Sequence, residues 1–102
     1  MNAQLKKGLL EFCVLATLRT EDSYGYQIIK DTSNVIGISD STLYPILKRL
    51  EKQQQIESYS VEHNGRLRKY FHLTPVGQEA IAQFLAEWPE VMQVYDYIKG
   101  VI

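Results

Sequence analysis

The sequence predicts an α+β fold, mostly α: a helix-turn-helix, then a basic two-stranded ribbon, then one long closing helix. Three observations predict it. Between Ser39 and Gln55 the apolar residues Leu43, Ile46, Leu47 and Leu50 fall at i, i+3, i+4 and i+7, one face of a helix. From Ile56 the period changes to two, and Asn64-Gly65 divides that stretch from Leu67–Leu73 with the strongest short hairpin signal. From Thr74 onward Ile81, Phe84, Trp88, Val91, Tyr95, Ile98 and Ile102 recur by alternating steps of three and four, a heptad seam.

Taken in order, residues 4–19 read as a first helix. Leu5, Leu9, Phe12, Cys13 and Ala16 form one stripe, while Leu10, Val14, Leu15 and Leu18 make the helix apolar nearly all round, so it is expected to be buried on several sides. Lys6 and Lys7 near its start are read as solvated, with a phosphate contact as the alternative. Thr20–Asp22 make a polar turn in which Asp22 or Ser23 is placed to cap a second helix from about Tyr24 to Asn34, with Ile28 and Ile29 facing inward. Gly25 in its first turn lowers helix propensity and makes sense where another backbone or a phosphate approaches closely. Val35–Ile38 is a tight connection in which Gly37 can supply a positive φ, and Ser39 then caps the third helix.

Helix, short turn with a glycine, two-faced helix is the helix-turn-helix arrangement. The outer stripe of the third helix carries Ser41, Tyr44, Pro45, Lys48 and Lys52. Short polar and aromatic groups at a helix tip with cations along the flank suit a helix that reads DNA bases; the other reading is an ordinary surface helix. Pro45 removes one intrahelical hydrogen bond and is expected to open the first turn. The ribbon that follows carries Arg66, Arg68 and Lys69 and no acid from His63 to Leu73. Placed directly after a helix-turn-helix, such a ribbon reads as a wing that grips phosphates, against the alternative of an exposed hairpin with solubilising charges.

Thr74-Pro75 opens the last helix, a cap residue followed by proline at the first helical position. Leu85 and Met92 widen its seam, and Pro89 is expected to kink it. So broad an apolar stripe exceeds what a small core covers, which points to a second copy of the chain; folding back on its own domain is the alternative. The expected organisation is therefore residues 1–73 as the DNA-binding part and residues 74–102 as a dimerisation helix, joined in one compact unit.

At 102 residues, one domain is the natural count, and 45% hydrophobic with 23% charged residues is ordinary for a globular protein. The formal net charge of -1 argues against a nucleic-acid partner, yet the charge is uneven. Six basic residues stand against four acids between Ser39 and Leu73, and the tail beyond Thr74 has four acids and only Lys99. The single cysteine, Cys13, excludes an intrachain disulfide and reads as a buried, inert thiol in a reducing compartment. No apolar run approaches the ~18 residues of a membrane span and no signal peptide is visible, so a cytoplasmic protein is expected. His63 and His72 lie at opposite ends of the ribbon, far from Cys13, and there is no phosphate loop or nucleophile elbow. No enzyme, metal or cofactor is expected.

The strings GLLEFCVLATL, SYGYQIIK, STLYPILKRLEK and RKYFHLTPVGQEAI, in this order and spacing, resemble the PadR family of bacterial transcriptional regulators over nearly the whole chain. The short acidic last helix resembles the branch with a small C-terminal domain. The resemblance implies a winged-helix homodimer, usually a repressor, on an inverted-repeat operator. It implies DNA contacts from Ser41, Thr42, Tyr44 and Lys48 on the recognition helix, Tyr24 before the second helix, and Arg66 and Lys69 on the wing. It also implies a dimer interface through Ile81, Phe84, Trp88, Val91, Tyr95 and Ile98, and a flat aromatic effector stacked on Trp88 with Phe84, Met92 and Tyr95 as neighbours. Family members often carry glycine where this chain has Ser41 and Gln55; the second departure weakens the expected sharp turn before the wing. The rival function is a winged-helix protein-interaction module that does not bind DNA.

Overall fold

The structure, a computed structural model, describes residues 1–101. Ile102, the last residue of the predicted seam, lies outside the described residues. The elements are α1 (Ala3–Thr17), β1 (Ser23–Tyr24), α2 (Gly25–Thr32), α3 (Asp40–Lys52), β2 (Ile56–His63), β3 (Arg66–Leu73) and α4 (Pro75–Lys99). The strands form one antiparallel sheet in the order β1-β3-β2. This is the mostly helical α+β fold expected, with its wing and its long terminal helix.

The core is built where the periodicities meet. Leu43, Ile46, Leu47 and Leu50 of α3 are buried, as their spacing requires, against Ile28 of α2, Leu10, Val14, Leu15 and Leu18 from the α1 region, and Ile56, Phe71 and Leu73 of the sheet. The deepest face of α1 is thus Leu10, Val14 and Leu15; the stripe Leu9, Phe12, Cys13 and Ala16 is half-buried, and Leu5 is exposed. That second stripe faces α4, where Phe12 stacks on Phe84 with ring centroids 4.1 Å apart. Burial pushes the Cys13 thiol above its ordinary value, which keeps it in the unreactive form.

Local chemistry sets the turns, in places differently from the expectation. Asn64 (φ 52) and Gly65 (φ 78) both adopt positive φ between the paired residues His63 and Arg66, the two-residue turn that suits the twist of a hairpin. Thr74 caps α4 by accepting from the Gly77 N–H at 3.1 Å, and it donates to the Gln54 carbonyl at 2.7 Å. The sharp turn before the wing is made at Gln54, which takes φ 62, so the absence of glycine at Gln55 does not abolish it. Gly77 is then required: a Cβ there would overlap the Gln55 carbonyl and the Leu73 side chain.

Three local expectations are corrected. Gly37 does not take a positive φ, because the connection is closed by Val35 and Ile36 N–H groups donating to the Thr32 carbonyl. Neither Asp22 nor Ser23 caps α2; its cap position is Tyr24, without a side-chain bond, and Ser23 and Tyr24 are instead recruited as β1. Ser39 occupies the cap position of α3, but its hydroxyl turns to the hydroxyls of Ser41 (3.1 Å) and Thr42 (3.2 Å) instead of a backbone N–H. α3 runs through Pro45 and α4 through Pro89, each as one continuous helix.

The molecule is elongated, 60 × 26 × 21 Å, because only the start of α4 joins the core. Gly77 and Ile81 are its buried residues. Ile81, expected in the dimer seam, therefore belongs to the protomer's own core at 7% exposure. Beyond it Leu85, Trp88, Val91, Met92, Val94, Tyr95, Tyr97 and Ile98 are all exposed. Among the described residues no helix is long and apolar enough to cross a membrane.

Candidate nucleic-acid interface

The two residues of β1 pair only with Tyr70 and Phe71, so the part of β3 nearer the hairpin tip has no neighbour on that side. A cleft of about 690 Å³ opens there, between this free edge, the start of α2 and the outer flank of α3. Four of the residues expected to touch DNA line it together: Tyr24, Tyr44, Lys48 and Lys69. They come from three elements, β1, α3 and β3, and the fold brings them to one site. Arg68, one of the three cations of the ribbon, also lines it, as do Tyr26 and Glu51, to which the sequence assigns no site role. With Lys48, Arg68 and Lys69 against Glu51, the cleft carries a net positive charge, as a phosphate-binding surface requires.

Tyr24 and Tyr44 in the cleft are each held by an identifiable contact. An ideal Cβ at Gly25 would lie 2.5 Å from Tyr44 Oη, so the glycine expected to admit a backbone or phosphate in fact admits the phenol of Tyr44. That contact places an exposed side chain of α3 over the N-terminus of α2. Tyr24 packs at 5.4 Å against Tyr70, which stacks at 5.8 Å on Tyr59, so one aromatic row crosses all three strands. The Arg68 guanidinium lies 4.1 Å over the Tyr24 ring, an arrangement that leaves the edge N–H groups of the guanidinium free to reach an anion. The one clue to Arg68 in the sequence is its place in the basic run RLRK; its partner Tyr24 lies more than forty positions away.

The remaining expected contacts lie elsewhere. Ser41 is exposed on the same stripe of α3 as Tyr44 and Lys48. Because Pro45 has no N–H, the Ser41 carbonyl lacks its usual intrahelical donor and is open on this outer face. Thr42 is also exposed but points to the neighbouring flank, into a groove of about 550 Å³ with Lys6, Lys7, Ser39 and Arg49. Arg66 is exposed beside the hairpin turn, outside the cleft, at the tip of the wing.

Asp22 ties the base of this assembly together. It accepts a hydrogen bond from Tyr59 Oη at 2.5 Å and stands 2.7 Å from His72 Nδ1, which joins the turn before β1 to both strands of the wing. Those two hydrogen bonds, Tyr59 first, hold the Asp22 carboxyl below its ordinary value, and the same bond raises the Tyr59 phenol. Among the described residues there is no group of three or more His, Cys, Asp or Glu that could hold a metal ion.

A two-faced third helix, a basic ribbon beside it and a positively charged cleft between them define a winged helix-turn-helix DNA-binding protein. Comparison with known proteins gives the family. The model of the transcriptional regulator PadR-like family matches residues 14–83. A solved protein of Streptococcus mutans is 40% identical, with a TM-score of 0.78 over 94% of this chain and 92% of its own. A PadR-like transcription factor of Bacteroides fragilis is 32% identical, with a TM-score of 0.81 over 94% and 95%. A PadR family transcriptional regulator of Eggerthella lenta is 29% identical, with a TM-score of 0.86 over 97% and 88%. The chain belongs to the PadR-like family of transcriptional regulators, and its class of activity is DNA-binding regulation of transcription.

Proposed function

We propose that this protein is a homodimeric repressor acting in the cytoplasm on an inverted-repeat operator. The observation that carries the reading is the convergence of Tyr24, Tyr44, Lys48 and Lys69 on one basic cleft beside α3. Ser41, Thr42 and Tyr44 would meet base edges in the major groove, and Lys48, Lys69 and Arg66 would neutralise phosphates, with Tyr24 and Arg68 adding a contact at the cleft's edge. Residues 1–73 then read DNA and residues 74–102 set the spacing of two such readers.

The dimer is supported by the exposed apolar length of α4. Trp88 (38%), Val91 (45%), Tyr95 (53%) and Ile98 (77%) lie on one stripe that stays exposed among the described residues. A symmetric pair places two recognition helices on half-sites about one helical turn of DNA apart, roughly 34 Å. An aromatic effector fits the same surface: Phe84 lies 5.5 Å from Trp88, and Met92 and Tyr95 are exposed nearby. A ligand bound there would change operator affinity only by preferring one dimer geometry over another.

A duplex selected from a random pool tests the first part. Tyr44→Ala and Lys69→Ala are expected to weaken binding without lowering the melting temperature, and unchanged affinity in both would overturn the reading in favour of a protein-interaction module. Val91→Asp is expected to give monomers by sedimentation; an intact dimer would place the interface elsewhere. Quenching of the single tryptophan by planar aromatic compounds tests the effector, and no quenching of an intact dimer across a varied panel would remove it.

A further inference from the structure

The last turn of α3 puts an acid into a cleft whose other charged groups are all cations, and both of that acid's oxygens are engaged with the wing. Glu51 Oε2 accepts a hydrogen bond from Ser58 Oγ on β2 at 2.5 Å. Glu51 Oε1 stands 3.9 Å from Lys69 Nζ on β3. Ser58 pairs with Phe71 in the sheet, two residues from Lys69, so the two contacts are diagonal neighbours on one sheet face. A single carboxylate from α3 therefore reaches both strands of the wing. The two contacts differ in kind. The Ser58 bond is short and part-buried, whereas the Lys69 pair is long, with side chains 58% and 38% exposed. An exposed pair at that distance is weak and easily exchanged.

We propose that Glu51 competes with DNA for Lys69: it holds Lys69 against α3 in the free protein and gives it up to a DNA phosphate in the complex. The inference rests on the reading that this cleft takes the DNA backbone. A carboxylate and a phosphate offer a lysine the same anionic oxygen, so Glu51 occupies in the free protein the place that the phosphate takes. The Ser58 hydroxyl keeps the carboxylate turned to the ribbon, which limits its repulsion of the incoming backbone. The arrangement keeps a long cation oriented before DNA arrives, and each phosphate must compete with Glu51 to gain it.

The test is Glu51→Gln, which keeps an oxygen for Ser58 and removes the charge. Binding to the selected duplex at low salt is expected to tighten about two- to fivefold, the range of an exposed ion pair, with a steeper salt dependence and an unchanged melting temperature. In a Lys69→Gln background the gain is expected to vanish, because the competition is for Lys69 alone. Three results overturn the proposal: no tightening in Glu51→Gln, a tightening that persists without Lys69, or a melting temperature that falls together with affinity. Tyr44→Ala separates the failures. If it weakens binding while Glu51→Gln does not tighten it, only the role of Glu51 falls; if Tyr44→Ala and Lys69→Gln both bind as the wild type does, the cleft reading falls with it.

Discussion

Replacing Gly25 by alanine is expected to separate stability from DNA binding. A Cβ at this position lies 2.5 Å from Tyr44 Oη and 3.1 Å from Tyr44 Cζ, where ordinary contact begins near 3.4 Å. The phenol must therefore retreat by roughly 0.9 Å or change rotamer to restore normal van der Waals separation. Retreat is cheap, because Tyr44 is 54% exposed and the offending atom is the free end of its side chain. Gly25 has no positive φ and opens α2, so alanine improves local helix propensity by up to ~1 kcal/mol, less in the first turn than mid-helix. The melting temperature should stay level or rise slightly. DNA binding should weaken about 5- to 30-fold, the equivalent of losing one well-placed hydrogen bond to a charged or base group at ~1–2 kcal/mol. Fluorescence anisotropy on a selected duplex, with a thermal melt of the same preparation, reads both quantities. Wild-type affinity in Gly25→Ala would refute the idea that Gly25 exists to seat Tyr44. A collapse in melting temperature would show that the glycine serves packing instead.

Other perturbations have different signatures. Gly77→Ala should destabilise strongly, by ~3 kcal/mol or more, because its Cβ meets the Gln55 backbone and cannot be relieved by a side-chain rotation; a melting temperature within a few degrees of wild type would contradict this. Asp22 sets a pH dependence whose sign is fixed. Its carboxyl is held down by the bonds from Tyr59 and His72, so its contribution is complete above the unfolded value near 3.9 and is lost as pH falls through the lower folded value. The raised phenol of Tyr59 acts at the other end: its contribution is present below about 10 and is lost as pH rises through the higher folded value. Asp22→Asn should flatten the melting profile at both ends relative to wild type, and parallel profiles would show that the cluster does not contribute.

The fold was largely legible because its elements carry strong local periods. The α3 stripe, the Asn64-Gly65 turn and the Thr74-Pro75 helix start each need only neighbouring residues, and each stands where it was expected. What was hidden depends on partners far away in the chain. Asp22 reads as a helix cap, yet its partners are 37 and 50 positions distant, and that pairing turns the preceding turn into the foot of a three-stranded sheet. Ser23 and Tyr24 are too short a run to show strand periodicity by themselves. Half of the candidate site was visible for the same reason: Tyr44 and Lys48 follow from one helical face, and Lys69 from one basic ribbon. Arg68 and Glu51 acquire their places only when Tyr24, Ser58 and Lys69 are brought to them by the fold. Ile81 fits the heptad seam as well as Val91 does, but the first turns of α4 are consumed by the protomer's own core.

The central claim, that the cleft between α3 and the wing binds a DNA operator, is tested most directly by titrating the protein against a duplex from upstream of its own gene at two salt concentrations, with an unrelated duplex alongside. The account predicts tight, selective binding that weakens by roughly 0.9 logarithmic units per tenfold rise in salt for each phosphate neutralised, and a slope smaller by about one for Lys69→Ala. Equal and weak binding to both duplexes, repeated with duplexes selected from a random pool, would contradict it.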